Sequence, residues 1–258
     1  MTDRPLPEPS QMLTGKTAIV TGATSGLGWR FARVLANAGA KAVVTGRRVD
    51  QLEALVELIE GEGGEALAIP VDMTDRTSIL SMVDQAEVAF GSIDIAINNA
   101  GTNDIALAAN VDIDIYDQLM STNVRGPFIL STEIARRLIQ AKKPGRIVNL
   151  SSIAADDYLG DGAAIYSISK AAISKMTVML GTEWAKFHIN VNAIAPGFFE
   201  SEMSENTVDQ IGEFWRGLRR QRLCHPALLD STILYLCSPA SEAVTGAVIR
   251  VTDAQMPM

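Results

Sequence analysis

From Thr17 to Val251, short β-branched runs alternate with longer stretches whose apolar residues recur every three or four positions. The strand candidates are residues 17–21, 41–45, 66–71, 93–98, 146–150, 189–195 and 247–251. Between them lie helical patterns such as Leu52, Leu55, Val56 and Ile59, which share one face at helical spacing. Thr74 or Asp75 is placed to cap the helix carrying Ile79, Leu80, Met82 and Val83. Asp50, just before a helical run, reads as another N-cap. The strands around Ala18 and Ile147 lack clean apolar–polar alternation, which suits a parallel sheet covered on both faces. Strand–helix repetition of this kind predicts an α/β fold, one doubly wound parallel sheet of about seven strands with right-handed crossovers. No repeat or linker interrupts residues 15–252, so residues 15–258 are expected to form a single domain after a flexible tail, 1–14.

Composition narrows the function. The chain has 258 residues, 22 basic against 30 acidic, and a net charge of −8. That balance argues against nucleic acid, whose affinity rests on Lys and Arg neutralising phosphates. No apolar run approaches the roughly 20 residues that span a bilayer, so no membrane partner is expected. The first residues are polar and proline-rich, without the apolar core of a signal peptide. Cys224 and Cys237 make no disulfide framework, and a reducing, cytoplasmic setting is expected. With His188 and His225 they are the only Cys and His residues, and no metal-binding spacing links them. No metal is expected, and hydrolase chemistry has little support without a G-x-S-x-G elbow.

The first strand runs directly into Thr21-Gly22-Ala23-Thr24-Ser25-Gly26-Leu27-Gly28, and a helical pattern follows. Glycines there permit positive φ and let backbone N–H groups approach a diphosphate at a helix N-terminus. The spacing is G-x-x-x-G-x-G, unlike both the common dinucleotide fingerprint and the Walker loop. Taken alone, the turn also suits plain strand–helix packing.

Further groups stand at later strand ends. Asn98-Asn99-Ala100-Gly101 follows the fourth strand, Ser151-Ser152 the fifth, and Tyr166 with Lys170 opens the next helix. With these motifs in this order, residues 15–252 resemble the short-chain dehydrogenase/reductase family. The resemblance implies a Rossmann-like, dinucleotide-binding and catalytic domain that moves a hydride between a nicotinamide coenzyme and a ketone or secondary alcohol.

Tyr166 and Lys170, four residues apart, share a helix face. A nearby ammonium favours the phenolate, and a phenol brought toward the working pH can exchange a proton with a carbonyl or alcohol oxygen. The resemblance implies that Tyr166 is the acid/base and that Lys170 lowers its pKa and holds the nicotinamide ribose. It implies that Ser152 positions the substrate and that Asn123 supports a water in a proton relay. Asn123 also suits a helix kink, and Ser151 is the rival to Ser152. Ser152 lies fourteen residues before Tyr166, so the segment 154–160 is expected to bulge over the substrate.

The resemblance also implies coenzyme contacts from Gly22, Thr24, Ser25, Gly26, Leu27 and Gly28, from Asp72 and Met73, and from Asn99, Ala100 and Gly101. Tyr166 and Lys170 join them, as do Pro196, Gly197, Phe199 and Ser201 of a P-G-x-x-x-T-like segment. Asp72 equally suits a turn or helix cap. At the end of the second strand, Gly46 stands where NAD-preferring relatives carry aspartate, and Arg47 and Arg48 follow. An arginine there accommodates a 2′-phosphate, so NADP(H) is the expected coenzyme, with Asp50 the competing ribose ligand.

The expected substrate wall comprises Ser152, Ala154, Tyr158, Phe198, Phe199, Met203 and Trp215, with a lid over residues 198–222. Apolar side chains there favour a hydrophobic ketone or secondary alcohol. Arg216, Arg219, Arg220 and Arg222 suit either an acidic ligand or a solvated face. Thr252-Asp253-Ala254-Gln255 replaces the glycine-rich V-D-G-G common in the family, and a homotetramer is the assembly that the resemblance implies. The alternatives are an NAD(H)-dependent alcohol dehydrogenase of the same family and a catalytically silent nicotinamide-binding sensor or scaffold.

Overall fold

In the computed structural model, residues 12–205 and 214–255 are described. The strands are β1 (Thr17–Thr21), β2 (Lys41–Gly46), β3 (Glu65–Pro70), β4 (Ile95–Asn98), β5 (Gly145–Leu150), β6 (Ile189–Pro196) and β7 (Val248–Val251). They form one seven-stranded sheet in the order β3-β2-β1-β4-β5-β6-β7. Every pairing is parallel. The helices are α1 (Gly26–Asn37), α2 (Val49–Gly61), α3 (Arg76–Phe90), α4 (Ile113–Met120), α5 (Gly126–Ala141), α6 (Ala164–Glu183) and α7 (Asp230–Cys237).

The missing alternation now has its cause. Val20 joins one core with Phe31, Leu52 and Ile233, beneath α1, α2 and α7. Its neighbour Ile19 joins a second core with Met82, Ile134 and Trp184, on the side of α3, α5 and α6. Both faces of the central strands are therefore covered, so apolar side chains predominate on both, with buried polar residues such as Asn98, Asn149 and Asn192 hydrogen-bonded among them. The chain reverses its direction of winding between β1 and β4. In open α/β sheets, the crevice beyond the strand ends at such a point is where ligands bind.

Several local expectations need correction. Leu13, expected within the flexible tail, is packed: it is buried and its N–H donates to the Ala38 carbonyl at 3.0 Å. Asp50 does not cap α2. Arg48 holds the N-cap position and Asp50 falls in the first turn, where its charge still complements the helix dipole. Of the two candidates before α3, Asp75 is the cap, accepting from Thr77 N at 2.8 Å. The fourth strand starts at Ile95 rather than at residue 93, because the Asp94 carboxylate accepts from Thr17 N at 3.1 Å just before it. The helix kink that Asn123 suits is a π turn over Ser121–Arg125, between α4 and α5.

Candidate functional site

The glycine turn bends tightly against the end of β4. Gly22 has φ +65° and Gly26 has φ +54°, a region L side chains rarely occupy. A Cβ on Gly28 would lie 2.3 Å from the Gly22 carbonyl oxygen and 2.4 Å from Asn99 Nδ2. Asn99 fastens this corner: its Nδ2 donates to the Thr21 and Gly22 carbonyls at 2.9 and 3.1 Å. Thr21 Oγ1 accepts from Asn99 N and Ala100 N, both at 3.0 Å. Packing alone thus requires glycine at these positions.

Ser25 occupies the N-cap position of α1, yet its side chain bonds none of the helix N–H groups. The first turn keeps its N–H groups uncapped by a side chain, and an uncapped helix N-terminus favours an anion. Gly26 faces Ser201, whose Cβ would be 3.2 Å from an added Cβ, so the segment after β6 lies directly over the turn. Small residues, open donors and a covering loop together fit the diphosphate of a dinucleotide. Leu27 is partly buried beside them.

At the end of β2, Gly46 packs on Thr24, whose Cγ2 would be 2.7 Å from an added Cβ. Arg47 is exposed, and its charge helps hold the Asp72 carboxyl below the usual range, although hydrogen bonds from Thr74 contribute more. Asp72 accepts from Thr74 N at 2.9 Å and Thr74 Oγ1 at 2.8 Å, so it serves the turn. Met73 is buried against Gly126, with its carbonyl 2.5 Å from where a Cβ would stand.

Beyond the ends of β4 and β5 lie the residues of the expected chemistry. Tyr166 and Lys170 project from the first turns of α6. Lys170 is buried, donates from Nζ to the Leu150 carbonyl at 2.7 Å, and lies 5.5 Å from the centre of the Tyr166 ring. Burial pushes its pKa down to about 8. Burial also pushes the Tyr166 phenol above its ordinary value, and a hydrogen bond with Ser152 works in the opposite direction. The lowered phenol expected from the Tyr–Lys pair is absent in the protein alone. Its physical reason is that desolvation of the phenol outweighs the opposing effect of Ser152.

The two serines separate cleanly. Ser152 Oγ reaches Tyr166 and accepts from Ala154 N at 3.1 Å. Ser151 turns away, with its Oγ donating to the Lys170 carbonyl at 3.0 Å and lying 2.6 Å from Ser174 Oγ. Asn123 sits inside the π turn, 1% exposed. Its Oδ1 accepts from Thr102 N at 2.8 Å, and its Nδ2 donates to the Thr102 carbonyl at 2.9 Å and to Ser169 Oγ at 3.1 Å. The side chain therefore braces the loop after β4 against α6. Gly101 faces both Asn123 and Lys170, 3.4 Å and 3.6 Å from an added Cβ.

The expected substrate wall is only partly assembled. Phe199 is 5% exposed, belongs to the α1–α7 core, and bridges to Cys224, so it is not free to line a pocket. Ala154 is likewise buried. Tyr158 is 76% exposed, and its hydroxyl donates to Asp161 Oδ1 at 2.5 Å, pointing it outward. The bulge after Ser152 instead turns toward β7, where Arg250 pairs with Asp156 and Asp157. Phe198 and Phe214 meet edge to face at 4.7 Å, and Trp215 extends that cluster at 5.8 Å. Met203 is partly exposed on the same segment, while residues 206–213 of the expected lid lie outside the described residues.

The sequence marks residues 252–255 as a departure from the family pattern but gives no sign of what Gln255 touches. Gln255 is fully buried: Oε1 accepts from Phe198 N at 2.7 Å, and Nε2 donates to the Phe198 and Arg222 carbonyls, each at 3.1 Å. Its Oε1 would lie 2.3 Å from a Cβ on Gly197, so the chain end sets the path of Pro196-Gly197-Phe198. Arg220 and Arg222 pair with Asp253 at 2.6 and 2.8 Å rather than facing a ligand. Among the described residues no group of three or more His, Cys, Asp or Glu is arranged to hold a metal ion. No described helix is long and apolar enough to cross a membrane.

Comparison with known proteins agrees with this geometry. Residues 16–212 match the family model described as short chain dehydrogenase. A gluconate 5-dehydrogenase of Gluconobacter oxydans is 34% identical, over 93% of this chain and 94% of its own length. A short-chain type dehydrogenase/reductase from Mycobacterium marinum superposes with a TM-score of 0.92 at 31% identity, covering 96% of this chain and 98% of that one. An actinorhodin polyketide ketoreductase variant, solved with NADPH, gives a TM-score of 0.87 at 27% identity and covers 93% and 98% of the two chains.

Proposed function

The chain belongs to the short-chain dehydrogenase family of oxidoreductases, and from that premise we propose that it moves a hydride reversibly between NADP(H) and a ketone or secondary alcohol. The observation that carries this reading is the buried Lys170 Nζ, 5.5 Å from the Tyr166 ring centre, with Ser152 near enough to the phenol to oppose its desolvation. When bound, the coenzyme supplies or accepts the hydride at its nicotinamide ring. Ser152 orients the substrate oxygen, and Tyr166 gives that oxygen a proton in reduction or takes it in oxidation. Lys170 adds positive charge near the phenol and a donor for the nicotinamide ribose. Asn123 holds the π turn and the Thr102 loop in place, which keeps Lys170 at the strand ends.

The coenzyme choice follows from the β2 end. Gly46 offers no carboxylate to a ribose diol, and the exposed Arg47 offers a guanidinium to a 2′-phosphate. The ketoreductase neighbour solved with NADPH supports the same choice. The substrate proposed is hydrophobic, on the strength of Phe198, Phe214 and Trp215. A second reading, a sugar acid, is favoured by the likeness to gluconate 5-dehydrogenase. For assembly we propose a homotetramer, supported by the exposed Phe128 on α5 and Ile168 and Met179 on α6. The proposed setting is the cytoplasm.

Titration of the purified protein with NADPH and NADH, following nicotinamide fluorescence, tests the coenzyme. Tighter NADPH binding that is lost in Arg47→Ala supports the proposal; equal binding of NADH, unaffected by that change, contradicts it. A panel of apolar ketones and keto-sugar acids then separates the two substrate readings.

A further inference from the structure

Arg48 is already occupied by an acid from the far side of the site. Its Nη1 donates to Glu202 Oε1 and its Nη2 to Glu202 Oε2, each at 3.0 Å. Nη2 also donates to Thr24 Oγ1 at 2.9 Å, and Ser25 Oγ donates to Glu202 Oε2 at 3.0 Å. The Ser25 hydroxyl thus serves Glu202 instead of capping α1. A carboxylate from the segment after β6 takes donors from two elements that flank the expected coenzyme corner, the glycine turn and the β2 end. The Arg48 hydrogen bonds hold the Glu202 carboxyl below the usual range, so it is ionised at neutral pH.

We propose that Glu202 determines coenzyme specificity by placing a fixed anion against Arg48, which opposes a 2′-phosphate but not a ribose diol. A carboxylate and a phosphate ask the same bidentate donors of an arginine. A 2′-phosphate arriving at the β2 end meets Arg48 already neutralised and Glu202 still negative. The uncharged diol of NADH meets no such repulsion. Arg47, which Glu202 does not engage, supplies the attraction, and Glu202 limits how strongly it is expressed. This inference rests on the coenzyme site proposed above, but it concerns how the NADPH/NADH ratio responds to Glu202 and not its starting value.

The test is to measure Kd for NADPH and NADH on the full chain carrying Glu202→Gln, at low and high salt. NADPH should bind about three- to tenfold tighter, the scale of one exposed charge, while NADH stays within about twofold. The gain should shrink at high salt, because the interaction is electrostatic. Glu202→Asp, which keeps the charge, should hold the wild-type ratio. An unchanged ratio in Glu202→Gln, or equal weakening of both coenzymes, would overturn the inference and leave Glu202 as a loop fastening. Wild-type preference for NADH with a ratio that still shifts toward NADPH overturns the coenzyme reading alone. A wild-type protein that binds neither coenzyme overturns both.

Discussion

The Nζ of Lys170 donates to the Leu150 carbonyl at 2.7 Å, tying the start of α6 to the last residue of β5. This bond satisfies a buried ammonium from the backbone, while desolvation lowers the pKa from 10.5 to about 8. The sign of the pH effect follows from proton counting. Between about pH 8 and 10.5 the unfolded chain holds this proton and the folded chain has released it, so stability rises with pH across that window. Relative to Lys170→Met, the wild-type protein should gain about 1 kcal/mol per pH unit from pH 8 to 10 in denaturant unfolding. A gap that stays flat over that range would contradict the buried-lysine picture.

Ser151 and Ser152, adjacent in sequence, should fail differently. Ser151→Ala removes a hydroxyl bonded to the Lys170 carbonyl and Ser174, and should cost about 1–2 kcal/mol of stability. Ser152→Ala loses the cap on Ala154 N, should cost about 0.5–1 kcal/mol, and should lower kcat about a hundredfold, the scale of one lost oxyanion donor. Thermal unfolding alongside steady-state rates separates the two, and reversed effects would assign the roles the other way round.

The parts legible in the sequence were local ones. The run from Thr17 to Thr21 has the strand's own bounds, and the Tyr166–Lys170 spacing needs only helical geometry to be understood. What escaped was set by distance along the chain. Glu202 meets Arg48 across 154 residues, and Gln255 meets Phe198 across 57, so no window of sequence contains either pair. The π turn at Asn123 escaped for another reason. Residues 112–141 keep a helical pattern through it, and the insertion is fixed by the fit of Asn123 against Thr102 and Ser169. Phe199 was misread because an aromatic in a loop gives no sign of which face it presents; here it closes the core beneath α1 and α7.

Gln255 should therefore matter more than its place near the chain end suggests. Gln255→Ala strips the Phe198 N–H and carbonyl of their side-chain partner and should cost about 2–4 kcal/mol. Loosening of the segment 196–201 should also weaken coenzyme binding several-fold. Wild-type stability in this variant would show that the chain end does not hold that segment.

Gly28→Ala tests the glycine turn from the backbone side. Its Cβ would press on the Gly22 carbonyl at 2.3 Å, a contact that only a shift of the turn relieves. The variant should fold with reduced stability and lose at least about tenfold in affinity for NADPH, measured by fluorescence titration. Unchanged affinity would mean that the turn does not contact the coenzyme.

The central claim is that Tyr166 moves the proton while the rest of the site binds and orients. Single-turnover reduction of a ketone by Tyr166→Phe with saturating NADPH tests it most directly. The account predicts a loss of rate of about 10²–10⁴-fold, the range of a missing general acid, with NADPH affinity within about twofold of wild type. Retention of the wild-type rate in this variant would contradict the account.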